Sequence, residues 1–129
     1  MRLHHVQLSM PVGEEEVARS FYRDTLGMTE VDKPLRLAGR GGCWFRAFDD
    51  AGLISAEIHM GTEDPFTAQR KAHPGLRVES SSRLNELGRS IAAAGFEVSW
   101  SEQWSFEGFE RFHCNDGFGN RIEILADRS

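Results

Sequence analysis

The chain presents the same order of elements twice, and this internal repeat restricts the fold more than any other feature. Leu3 to Met10 alternates, with Val6, Leu8 and Met10 on one side and His5, Gln7 and Ser9 on the other, as in a half-buried strand. Pro11 and Gly13 break it. Glu14, Glu15 and Glu16 suit a helix first turn, where carboxylates meet the positive end of the dipole. Val17, Phe21 and Leu26 continue along one face as far as Gly27, a candidate C-cap. Strand-like stretches follow at Met28–Val31, Cys43–Phe48 and Leu53–Met60, and the polar segment 61–72, with Pro65, reads as a connector. Then the order restarts. A strand at His73–Glu79 precedes a helix capped by Ser81 or Ser82, carrying Leu84, Leu87 and Ile91 and ending at Gly95. Strands follow at Phe96–Trp100, Glu110–Cys114 and Asn120–Leu125.

A period of about 65 residues is too long for a solenoid and points to duplication of one unit. The expected fold class is α+β: one domain over residues 1–129 made of two βαβββ modules, module one at 1–61 and module two at 73–129. Each module has a sheet face with few apolar residues to hide. Two such faces side by side would give a larger curved sheet with helices behind and a cavity in front. The connector is long enough for the modules to pair within one chain or to swap between chains.

Superimposing the halves aligns four residues. His5 in the first opening strand matches His73 in the second, and "AEIHMG" against "NRIEIL" sets His59 opposite Glu123. Parity places all four on the side away from the apolar face, because Ile58 and Met60, and Ile122 and Ile124, occupy the other side. His4 falls with the apolar set. Three imidazoles and a carboxylate can hold a borderline divalent metal, with Zn, Ni, Mn, Fe and Co all suited to nitrogen and oxygen ligands. Glu57 shares a strand face with His59 and is a further candidate ligand or base. His4 and His113 gain nothing from the repeat and are read as structural or surface residues.

The bulk properties exclude several classes. The composition, 40% hydrophobic and 27% charged, suits a globular domain with a real core. Fifteen Lys and Arg against twenty Asp and Glu leave a net charge of −5 with no basic cluster, which argues against nucleic acid or an anionic membrane as partner. No apolar run is long enough to span a bilayer. Met1 and Arg2 lead straight into a patterned strand, so no signal peptide is expected. Cys43 and Cys114 lack CxxC spacing and read as free thiols in a reducing cytoplasm. Gly39, Gly41 and Gly42 do not open a helix after a strand, so they are not read as a nucleotide-binding loop.

The segments "LHHVQLSM", "ARSFYRDTLGM" and "NDGFGNRIEIL" together resemble the vicinal oxygen chelate superfamily, which includes glyoxalase I, fosfomycin-resistance thiol transferases, extradiol dioxygenases and bleomycin-resistance proteins. The resemblance runs over nearly the whole chain. It implies paired βαβββ modules forming a cupped, incomplete mixed β-barrel around a metal. The ligand positions it implies fall on His5, His59, His73 and Glu123, with Glu123 and His59 also in catalytic roles. The metal there chelates two neighbouring oxygens of a small substrate, in lyase, isomerase, transferase or dioxygenase chemistry. A homodimer is implied as well. His59 stands where glyoxalase I-like proteins carry glutamate, and Gln7 where fosfomycin-type transferases carry threonine. Pro74 follows His73 where an aliphatic residue is more usual, which is expected to tilt His73.

Trp44, Trp104 and Phe106 are expected to wall a pocket for a small apolar or aromatic ligand. Arg40, Arg46 and Arg111 are candidates to grip a carboxylate or phosphate, Arg46 and Arg111 foremost. The alternative function is metal-free sequestration of a small molecule or antibiotic, as in bleomycin-resistance proteins, for which the acidic charge and the aromatic loop would suit a cationic drug.

Overall fold

The computed structural model describes residues 1–128, in two compact units: Met1–Ala68, and a second that begins at Gln69. Each unit is one βαβββ module.

In the first, β1 (Val6–Met10) leads to α1 (Glu15–Tyr22), then β2 (Thr29–Val31), a single 3-10 turn at Ala38–Arg40, β3 (Cys43–Phe48) and β4 (Ile54–Thr62). The sheet order is β1-β4-β3-β2, with β1 parallel to β4 and the other pairs antiparallel. Leu8, Met10, Phe45, Ile58 and Met60 form its buried apolar face, and α1 adds Ala18, Phe21 and Tyr22. Tyr22 stacks on Phe45 with ring centroids 5.4 Å apart. Each of these large side chains contributes about 1.5–3 kcal/mol by leaving water. The helix is shorter than the sequence pattern predicts. It ends at Tyr22, and Leu26 reaches its place through turns in which Leu26 N–H donates to the Phe21 carbonyl at 2.9 Å.

In the second module, β5 (Gly75–Arg77), α2 (Ser81–Ala93), β6 (Val98–Ser99), β7 (Phe109–Asn115) and β8 (Arg121–Asp127) repeat the plan, in the order β5-β8-β7-β6. Leu84, Leu87 and Ile91 of α2 are buried, as are Phe112, Ile122, Ile124 and Ala126 of the sheet. The helix cap is Ser80 rather than Ser81 or Ser82. Its hydroxyl accepts the Arg83 N–H at 3.0 Å, while the Ser81 hydroxyl donates to Glu110. The turn before β8 is locked by Asp116, whose Oδ1 accepts the N–H groups of Phe118 and Asn120, both at 2.9 Å.

Several strand limits move. The first strand begins at Val6, so His4 and His5 lie before it, and β4 runs on to Thr62 into the expected connector. The parity that assigns His4 to the core side therefore does not apply, and His4 is exposed. Likewise β5 covers only Gly75–Arg77, leaving His73 and Pro74 in the approach to the strand.

Candidate functional site

The chemistry-bearing residues gather on the non-apolar face of each sheet. In module two, β8 presents Glu123 between Ile122 and Ile124, and the β7 register sets His113 directly across from it. The Glu123 N–H donates to the Pro74 carbonyl at 3.0 Å, which fixes the approach to β5. With that anchor, His73 Nε2 comes to 3.0 Å from Glu123 Oε2, so Pro74 does not turn His73 away. His113 Nε2 lies 3.8 Å from the same oxygen. Among the described residues, His73, His113 and Glu123 form a group whose ligand atoms all lie within 4.8 Å of one another.

The hydrogen bonds determine what these groups can do. His73 Nδ1 is 2.7 Å from the Lys71 carbonyl, which can only accept, so Nδ1 carries the hydrogen. In the neutral ring Nε2 then points a lone pair at a carboxylate oxygen. Two acceptors at this distance need a cation between them, either a proton or a metal. A backbone carbonyl on the distal nitrogen is the usual support of a metal-binding histidine. Burial opposes ionisation of Glu123, but the contact with His73 and the hydrogen bond and charge of Arg111 outweigh it and hold its pKa below the ordinary carboxylate value. Burial, helped by the Arg121 charge, holds His113 below the ordinary histidine value.

Arg111 positions the carboxylate. Its guanidinium donates to Glu123 Oε1 at 3.1 Å, to the Ser105 hydroxyl at 2.8 Å and to the Glu102 carbonyl at 3.2 Å. The sequence pattern offers Arg111 to a substrate; in the fold its guanidinium makes these bonds to protein partners. Its guanidinium also lies 5.4 Å from the Phe106 ring centre, and Arg128 lies 4.7 Å from that of Trp104. Both aromatic rings are exposed, Trp104 at 54% and Phe106 at 44%, so they form a surface ledge rather than core.

In module one, β4 carries Glu57 and His59, both buried. The register pairs Trp44 with His59 and Arg46 with Glu57 across β3. The Trp44 ring lies parallel to His59 at 3.6 Å between centroids, and the His5 ring stacks on His59 at 4.0 Å. Arg46 donates to Glu57 Oε1 at 3.0 Å, and His59 Nε2 stands 3.2 Å from the same oxygen. Burial works against the Glu57 charge, yet the bonds from His59 and Arg46 prevail and its pKa is lowered. The ionised carboxylate accepts, so His59 Nε2 carries the hydrogen and Nδ1 keeps the lone pair. Burial pushes His59 below the ordinary histidine value, against the pull of Glu57. His4 Nδ1 is 2.9 Å from His5 Nδ1.

The four repeat-matched residues thus fall into two contacting pairs, His5 with His59 and His73 with Glu123, each pair within its own module. His113 is the site residue that the repeat does not reveal, because no aligned histidine stands in module one. Strand parity offers the available signal: His113 alternates with buried Phe112 and so shares a face with Arg111.

Residues 2–124 match the family model of the Glyoxalase/Bleomycin resistance protein/Dioxygenase superfamily. A glyoxalase family protein from Bacillus anthracis is 38% identical with a TM-score of 0.83, and the match covers 99% of this chain and 100% of that one. The fosfomycin resistance protein FosX from Listeria monocytogenes, at 17% identity and a TM-score of 0.74, covers 98% of this chain and 91% of its own, a likeness of fold. No curated protein matches. With the family model spanning almost the whole chain, and this fold beneath it, the protein belongs to the Glyoxalase/Bleomycin resistance protein/Dioxygenase superfamily.

Proposed function

We propose that the protein is a metal-dependent enzyme of the vicinal oxygen chelate type, acting on a small molecule with two neighbouring oxygens as a lyase, isomerase, transferase or dioxygenase. The observation that carries this reading is the His73–Glu123 contact, in which the Lys71 carbonyl holds the Nδ1 hydrogen and leaves the Nε2 lone pair facing a carboxylate. The donor set fits a borderline divalent ion such as Zn, Ni, Mn, Fe or Co. His73 and Glu123 would hold it, with His5 and His59, their counterparts in the repeat, as the further candidate donors and His113 beside them. When bound, such an ion supplies Lewis acidity toward paired substrate oxygens.

The remaining roles belong to the chain itself. Arg111 keeps the Glu123 carboxylate ionised and aimed. His59, neutral and with Nε2 committed to Glu57, holds a lone pair on Nδ1 that can accept a proton from substrate. Trp44, Trp104 and Phe106 are the aromatic surfaces offered to the substrate's apolar part, and Arg46 keeps Glu57 ionised behind His59. The same reading takes the protein as a cytoplasmic homodimer. The free, buried thiols of Cys43 and Cys114 agree with a reducing compartment. No described helix is long and apolar enough to cross a membrane.

Cobalt(II) provides the test, because its visible absorption reports nitrogen and oxygen ligation independently of activity. The metal-free protein titrated with cobalt should develop a saturable visible band that is lost in H73A and in E123Q. An unchanged band in both variants, or no band at all, would refute the proposed centre.

A further inference from the structure

Module one also contains a cavity of about 290 Å³, whose walls include Gln7, Lys33, Leu37, Arg40, Trp44 and Gly61. That volume is at the small end of ligand sites and fits a molecule built on about one ring. Two features set it apart from the rest of an acidic chain. Its wall holds two cations and no carboxylate, although the net charge is −5. Glu15, outside the wall, accepts the Gly42 N–H on its Oε1 at 3.1 Å.

The cations are also available. Lys33 Nζ donates to the Gly41 carbonyl at 2.6 Å, a neutral partner. The Arg40 guanidinium makes no hydrogen bond or ion pair to any described residue, and neither does the Gln7 amide. Gly61 leaves room for that amide, since a Cβ there would come within 2.3 Å of Gln7 Nε2. Beside these donors, Trp44 and Leu37 add an apolar wall. A cationic end, a free amide and an aromatic flank in one recess are complementary to an anionic head on an apolar body.

We propose that this cavity binds a small organic anion, its carboxylate or phosphate held by Lys33 and Arg40 and its apolar part lying against Trp44 and Leu37. The inference goes beyond the proposed metal chemistry: none of the proposed metal donors lines the cavity, and Trp44, which also lies against His59, is the one wall residue it shares with that reading.

Calorimetric titrations in EDTA separate the two ideas, since loss of metal then leaves this site untouched. Benzoate and phenyl phosphate are the anionic probes and benzamide the neutral one. Binding of either anion, and not of benzamide, is expected; the tighter of the two identifies the head group. R40Q and K33M should each weaken it by about tenfold, the value of one charge-assisted hydrogen bond. R40Q alters an exposed side chain, so circular dichroism should show it folded. W44A should weaken both anions alike. Absence of anion binding up to millimolar concentration, equal binding of benzamide, or less than a twofold change in both charge variants would overturn the proposal.

Discussion

Gly42 is the position where one added carbon should do the most damage. It has φ +79°, and a Cβ there would sit 2.0 Å from the Met60 carbonyl oxygen and 3.0 Å from its carbon. Met60 pairs with Cys43 at the start of β3, so the obstacle is strand backbone and cannot rotate away. Three costs combine in Gly42→Ala. Forcing alanine into the left-handed region costs about 1–2 kcal/mol. Parting β3 from β4 costs about 1–3 kcal/mol, as in other overpacked sites. Weakening the Gly42 N–H bond to Glu15 costs about 0.5–1.5 kcal/mol. Together these give about 2.5–6.5 kcal/mol, a large part of the 5–15 kcal/mol typical of a domain. At about 4 °C per kcal/mol for a chain of this size, Tm should fall by about 10–26 °C. Two controls divide the sum. Gly52 has φ +79° with nothing within 4 Å of an added Cβ, so G52A should show the backbone cost alone, about 1–2 kcal/mol. Gly39 has open space and no positive φ, so G39A should be near neutral. Thermal and urea unfolding of the three variants decide the matter. If G42A lies within experimental error of G52A, the clash with the Met60 carbonyl is not what makes glycine necessary there.

Three further outcomes are expected. Arg111→Gln should lower divalent-metal affinity by about 10–100-fold while leaving the stoichiometry unchanged, as for other residues that orient a ligand from behind; competition with a chromogenic chelator measures it. Glu110 is buried, which opposes its charge, but bonds from Ser81, Gln103 and Asn85 lower its pKa below the ordinary 4.5. A lowered folded-state pKa stabilises above 4.5 and the benefit is lost as pH falls through the folded value. Glu110→Gln should therefore be the less stable protein at neutral pH, and the gap should narrow in acid unfolding curves below 4.5. Cys43 and Cys114 are each only 3% exposed, and burial raises their pKa to about 11 and about 12. Iodoacetamide at neutral pH should leave both unmodified in the native protein and alkylate both after denaturation, as mass spectrometry would show.

The sequence repeat made both modules and the alignment of His5 with His73 and His59 with Glu123 legible, because duplication and strand parity are written in residue order. Cross-strand partners are not. Trp44 against His59, Arg46 against Glu57 and His113 against Glu123 depend on register, which the β3–β4 and β7–β8 connections set. A one-residue slip would exchange every partner and every face. Parity does not reach His4 or His5 for a related reason: it counts only inside a strand, and β1 begins at Val6. Arg111 illustrates the difficulty with long side chains, whose reach lets one guanidinium serve Glu123, Ser105 and Glu102 from different elements. The hydroxyl that caps α2 was one residue from the expected pair because Ser80, Ser81 and Ser82 are chemically equivalent until Glu110 takes Ser81.

Metal content is the most direct test of the central claim. The protein, purified without a polyhistidine tag or chelator and measured by elemental analysis, should carry close to one equivalent of a transition metal per chain. H73A and E123Q should carry little. Added metal at a hundred-fold excess over its Kd should stabilise the stripped parent protein by about 2.7 kcal/mol, visible as a higher Tm. Metal-free protein whose melting is unmoved by zinc, nickel, manganese, iron or cobalt would contradict the account.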